Sequence, residues 1–120
     1  PLDGAVIVTT PSLVALEDVR RGVEMFKTVE VPVLGVIENM SSYVCTKCGT
    51  ETSIFGKGGG ERTAKTYGVP FLGAIPLHPQ VQIGSDTGQP IVASDPESPL
   101  AKMYTEIAGC IWMTLEGAAG

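Results

Sequence analysis

Val33-Leu34-Gly35-Val36-Ile37 is a short apolar run rich in branched side chains, closed by Glu38-Asn39-Met40. A strand covered on both faces reads this way, without the polar alternation of a half-exposed one. Upstream, Ala5-Val6-Ile7-Val8 is a second run of the same kind. Between the two, Leu13, Leu16, Val23 and Phe26 recur at helical spacing, with Val19 or Arg20 at the turn between Leu16 and Val23. This predicts a helix over roughly Leu13 to Lys27 with one apolar face. Thr9-Thr10-Pro11-Ser12 supplies its start, a hydroxyl for the cap and Pro11 in the first turn. Glu17 and Asp18 early and Lys27 late suit the helix dipole, and Val31-Pro32 breaks the helix. Strand, helix and strand within so few residues make a βαβ unit with parallel strands, so the fold class is α/β.

The carboxyl ends of parallel strands are where such sheets bind ligands. Asn39 stands at one, either as an amide for a ligand's polar edge or as a turn residue. From Ser41 to about Ile54 the chain is polar and predicts a loop or small hairpin. At its tip is Cys45-Thr46-Lys47-Cys48-Gly49. Two thiols at this spacing can face one metal centre, zinc or an iron–sulfur cluster, but they fill only half of a four-sulfur shell. Cys110 lies far along the chain and His78 is the single histidine. The economical source of two more thiolates is a second copy across a two-fold axis. A thiol–disulfide role is disfavoured, because it calls for a helix N-terminus beside the pair.

Phe55-Gly56-Lys57-Gly58-Gly59-Gly60-Glu61-Arg62 imitates a phosphate loop, but Glu61 and Arg62 stand where Lys and Ser or Thr would be needed. The glycines read instead as a turn into a helix over about Gly60 to Tyr67, closed by Gly68-Val69-Pro70. Phe71 to Ile75 reads as a third strand ended by Pro76, with Leu77-His78-Pro79 beyond it. A short helix over Val81 to Ser85 and a turn from Asp86 to Pro90 follow, then an extended Ile91-Val92-Ala93. Ser98-Pro99 carries helix-start chemistry, and Leu100, Met103 or Tyr104, Ile107, Ile111 and Leu115 mark a C-terminal amphipathic helix with Cys110 packed beside its stripe.

The 120 residues are enough for one domain with a core. Hydrophobic residues at 43% against 18% charged place the chain among globular proteins. The formal net charge of -5 argues against nucleic acid as a partner. No apolar run reaches membrane-spanning length. An odd count of 3 cysteines, two of them in one Cys-x-x-Cys, predicts a reducing compartment rather than a disulfide scaffold. The expected location is the cytoplasm, or an organelle matrix in a eukaryote.

Val6-Ile7-Val8-Thr9-Thr10-Pro11, Val31-Pro32-Val33-Leu34-Gly35-Val36-Ile37-Glu38-Asn39-Met40, Tyr43-Val44-Cys45-Thr46-Lys47-Cys48-Gly49 and Ile54-Phe55-Gly56-Lys57-Gly58-Gly59-Gly60 resemble the Mrp/ApbC-type iron–sulfur cluster carriers. So do Gly68-Val69-Pro70-Phe71-Leu72-Gly73, Ile75-Pro76-Leu77 and Asp86-Thr87-Gly88-Gln89-Pro90-Ile91-Val92, in family order over nearly the whole chain. The resemblance implies a P-loop NTPase-like fold related to MinD and ParA. It implies that residues 1–120 are a single C-terminal half-domain, a partial doubly wound parallel sheet lacking the half that carries the phosphate loop and the magnesium aspartates. It implies a homodimer holding a [4Fe–4S] cluster between two Cys45–Cys48 pairs and passing it to apo iron–sulfur proteins, with zinc in the same thiols as the alternative. ATP and magnesium belong to the full-length parent. Asn39, Pro76, Leu77 and His78 would form the edge that meets the base, although His78 stands where many members carry Asp and Gln82 where a basic residue often follows. No catalytic residue is expected here, and no ATP turnover by this chain alone.

Overall fold

The computed structural model describes residues 2–119. Strand β1 (Ala5–Thr9), helix α1 (Leu13–Thr28) and strand β2 (Val33–Val44) form the expected parallel unit. A two-residue strand β3 (Glu51–Thr52) pairs antiparallel with Tyr43 and Val44. Helix α2 (Gly59–Thr66) then leads to β4 (Phe71–Leu77), parallel to β2 on the side away from β1. Helices α3 (Pro79–Thr87), α4 (Ile91–Ser94) and α5 (Pro99–Ala119) complete the chain. The sheet is thus parallel except for β3. Tyr43 already pairs with Leu77 of β4, so β3 takes the edge of β2 that β1 leaves open.

Alternation along β2 builds two cores. Val36 faces Val19 and Val23 of α1 and Ala64 of α2. Its neighbour Ile37 faces the other way, with Ile75, against Leu100 and Ile107 of α5. Side chains on a strand alternate faces, and here both faces are covered, which is why the run is apolar throughout.

Several local expectations are corrected. Pro11 precedes the first turn of α1: Ser12 is the cap, its Oγ accepting from the Ala15 amide at 3.3 Å. The apolar stripe of α1 does not include Leu13, which is 84% exposed. Strand β2 runs on through Val44 instead of ending at Glu38-Asn39-Met40, because Tyr43 and Val44 find partners in β3 and β4. Pro76 lies inside β4 rather than ending it. It falls between Ile75, paired with Asn39, and Leu77, paired with Tyr43, where the ladder is irregular and needs no N–H. Helix α3 extends to Thr87, and Ile91–Ser94 is a helical turn in which the Ser94 amide reaches the Pro90 carbonyl at 3.0 Å. Ser98 does cap α5, accepting from the Ala101 amide at 3.1 Å, but Cys110 is exposed rather than packed.

Candidate functional site

The site is built around a bulge in β2. Met40, Ser41 and Ser42 stand against Pro76 alone, between the pairs Asn39–Ile75 and Tyr43–Leu77. The extra residues turn the strand through Met40, whose φ of 55° lies in the left-handed region. That conformation is unfavourable for a residue with a Cβ, by about 1–2 kcal/mol. Two side chains hold it: Asn39 Oδ1 accepts from the Met40 amide at 2.9 Å, and Ser41 Oγ donates to the Ile75 carbonyl at 3.2 Å. Bulges at strand ends re-aim side chains in this way.

Asn39, Pro76, Leu77 and His78, separated by 37 positions at the widest gap in the chain, line one cavity of about 210 Å³ with Met40, Val81 and Gln82. Its walls are mostly apolar. Asn39 commits its oxygen to Met40, so its Nδ2 is the group left to meet a ligand. His78 caps α3: its Nδ1 accepts from the Gln80 amide at 3.1 Å, which in the neutral ring puts the proton on Nε2. Asp is a common cap residue, so His78 does here what a carboxylate does elsewhere.

The Cys-x-x-Cys occupies the turn between β2 and β3. The Cys45 amide donates to the Thr50 carbonyl at 2.9 Å, and the Gly49 amide to the Cys45 carbonyl at 2.9 Å. Gly49 takes a φ of 74°, which closes the turn at no Cβ cost. Cys45 is half-buried and Cys48 exposed, and both are free thiols. Cys48 Sγ lies 3.2 Å from Thr50 Oγ1. The Thr50 hydroxyl, then its main chain, then the neighbouring Cys45 hold the Cys48 thiol below its ordinary pKa, so the thiolate is favoured. No helix begins here, so the lowering owes nothing to a helix dipole. Among the described residues, no group of three or more Cys, His, Asp or Glu is placed to hold a metal ion. The donor set is therefore two thiols of one chain, which fits half of a four-thiolate cluster shell.

Two residues here were not foreseen as part of the site. Thr50 is one. The other is Glu38, which is 4% exposed and whose Oε1 accepts from the Gly60 amide at 2.9 Å. That bond pins the start of α2 to the end of β2. It also sets a carboxylate at the N-terminus of α2, where the helix dipole favours negative charge. A Cβ at Gly60 would come within 3.1 Å of Glu38 Cβ and Oε1, so a larger residue there would need the Glu38 side chain to shift. The sequence signal was a lone carboxylate at the end of an apolar run, and no spacing rule links it to Gly60.

A parallel sheet covered on both faces, with polar groups gathered at the carboxyl ends of β2 and β4, is the plan of the MinD and ParA class of P-loop NTPases. The cell-division ATPase MinD of Pyrococcus furiosus matches with a TM-score of 0.70 at 25% identity, over 93% of this chain and 43% of that one. A nucleotide-binding protein in complex with ADP from Archaeoglobus fulgidus matches with a TM-score of 0.66 at 32% identity, over 80% of this chain and 38% of that one. The family model for ParA, described as NUBPL iron-transfer P-loop NTPase, matches residues 1–112, and the chain belongs to that family. An iron–sulfur cluster transfer protein NUBPL from Dictyostelium discoideum is 53% identical over 116 residues, 97% of this chain. The chain spans 36% of that relative's length.

Proposed function

We propose that this chain is the cluster-holding half of an iron–sulfur cluster carrier. The observation that carries the reading is the pair Cys45 and Cys48, presented on a hairpin turn with no third ligand placed near them among the described residues. Two copies brought together at this turn supply four thiolates, the set a [4Fe–4S] cluster takes. The cluster is cargo here, and the exposed Cys48 is the sulfur that an incoming apo iron–sulfur protein reaches first. The names of the cluster-transfer relatives support the same reading.

The cavity lined by Asn39, Pro76, Leu77 and His78 is the base edge of a nucleotide site. Its volume of about 210 Å³ is less than the 300 Å³ or more of a typical whole-ligand pocket. It suits a heterocycle whose phosphates and Mg²⁺ lie elsewhere, on the remaining part of a longer protein. On this reading, residues 1–120 are one half of a domain, with no catalytic group of their own. The unpaired thiols support a reducing compartment on this reading, the cytosol or an organelle matrix. Among the described residues no helix is long and apolar enough to cross a membrane.

Anaerobic reconstitution of the full-length protein with iron and sulfide tests the proposal. The expected result is a [4Fe–4S] absorption band at one cluster per two chains, with dimer formation in equilibrium sedimentation, both lost in Cys45→Ala and in Cys48→Ala. A protein that stays colourless, or that takes up zinc alone, overturns it.

A further inference from the structure

We propose that Thr50 is a positioning residue for the cluster, its hydroxyl donating to the Cys48 sulfur and setting how firmly the cargo is held. The inference rests on the cluster-carrier reading above. Thr50 is tied to both thiol-bearing residues. Its carbonyl accepts from the Cys45 amide at 2.9 Å, and in the unloaded protein its Oγ1 accepts from the Cys48 thiol at 3.2 Å. The main-chain bond fixes the Thr50 backbone, and a β-branched side chain has few rotamers left once its backbone is fixed. The hydroxyl is therefore held in place rather than merely nearby. A loaded cluster needs Cys48 as a thiolate, which has no proton to give, so in that state the hydroxyl must be the donor. Outer groups of this kind orient metal ligands and draw charge from the sulfur, and their loss typically costs tenfold or more in affinity.

The alternative is that Thr50 only closes the hairpin, and the variants separate the two. Thr50→Val keeps the main-chain bond and the branched shape but lacks the hydroxyl. Thr50→Ser keeps the hydroxyl. In the reconstituted full-length protein, Thr50→Val should lose its cluster to an iron chelator about tenfold faster. Its reduction potential should fall, because a hydrogen bond to a cluster sulfur favours the more negative reduced state. Thr50→Ser should return both towards wild type. If chelator loss and potential are the same in wild type and Thr50→Val, the proposal is wrong. If the wild type takes up no cluster, the carrier reading fails by itself, and titration of the apo-protein with Co²⁺ still decides Thr50. The sulfur-to-cobalt charge-transfer band should then report about tenfold weaker binding in Thr50→Val, restored in Thr50→Ser. Equal Co²⁺ affinity in all three proteins overturns the role of Thr50.

Discussion

At the scale of single residues, the site depends on what each polar atom is already doing. Asn39 does the turn work that one reading of its place at a strand end predicted, and its ligand-facing role is a proposal. Its oxygen holds the Met40 amide as a turn residue does, and its Nδ2 is left for a ligand. These roles are separable. Asn39→Asp keeps the oxygen and removes the donor, so the full-length protein should bind ADP about tenfold more weakly, the equivalent of one lost hydrogen bond of about 1.4 kcal/mol. Isothermal titration calorimetry reads this, and unchanged affinity would show that Nδ2 touches no nucleotide. Cys45 and Cys48 were legible from their spacing alone. Thr50 was not, because nothing in a Thr two positions after a Cys says that its hydroxyl turns back towards the sulfur. The hairpin closure does that.

At the scale of elements, β2 is the member everything else leans on. It pairs with all three other strands, and through Glu38 it holds the start of α2. Removing that carboxylate leaves the Gly60 amide buried without an acceptor, a loss of about 1–3 kcal/mol. Glu38→Ala should therefore lower thermal stability clearly, whereas Glu38→Gln, which keeps an oxygen at the same reach, should lose much less. Melting curves for the two variants that coincide would mean the bond contributes nothing. The helices α1 and α5 were readable from apolar positions at helical spacing, α2 from its leading glycines and the Gly68-Val69-Pro70 stop, and β1 and β4 as continuous apolar runs. The length of β2 was not readable. Glu38-Asn39-Met40 looks like a stop, and only the partners waiting at Thr52 and Leu77 make the strand resume. Pro76 misled for the same reason: whether a proline ends a strand depends on whether its neighbour across the ladder needs its N–H.

At the scale of the whole molecule, two cores on opposite faces of one sheet keep the carboxyl ends of β2 and β4 in register. Val36 is fully buried in the core under α1 and α2. Val36→Ala should cost about 2–3 kcal/mol, from two lost methyl groups and the cavity they leave. Chemical denaturation should show an earlier midpoint with an unchanged slope. A midpoint within error of wild type would mean that this face of the sheet is not packed as described.

By itself the sequence determined the α/β class, the first βαβ unit and the Cys-x-x-Cys pair, because these rest on local period and on residue chemistry. It also carried the family resemblance that the family match bore out. The resemblance set Asn39 beside Pro76-Leu77-His78, but only the tertiary structure decided the cavity they line and the bulge that shapes it. It alone put Glu38 on the Gly60 amide and Thr50 against the Cys48 sulfur. Those contacts join residues through strand register, a bulge and a turn, and register is set by pairing between segments that no single segment encodes.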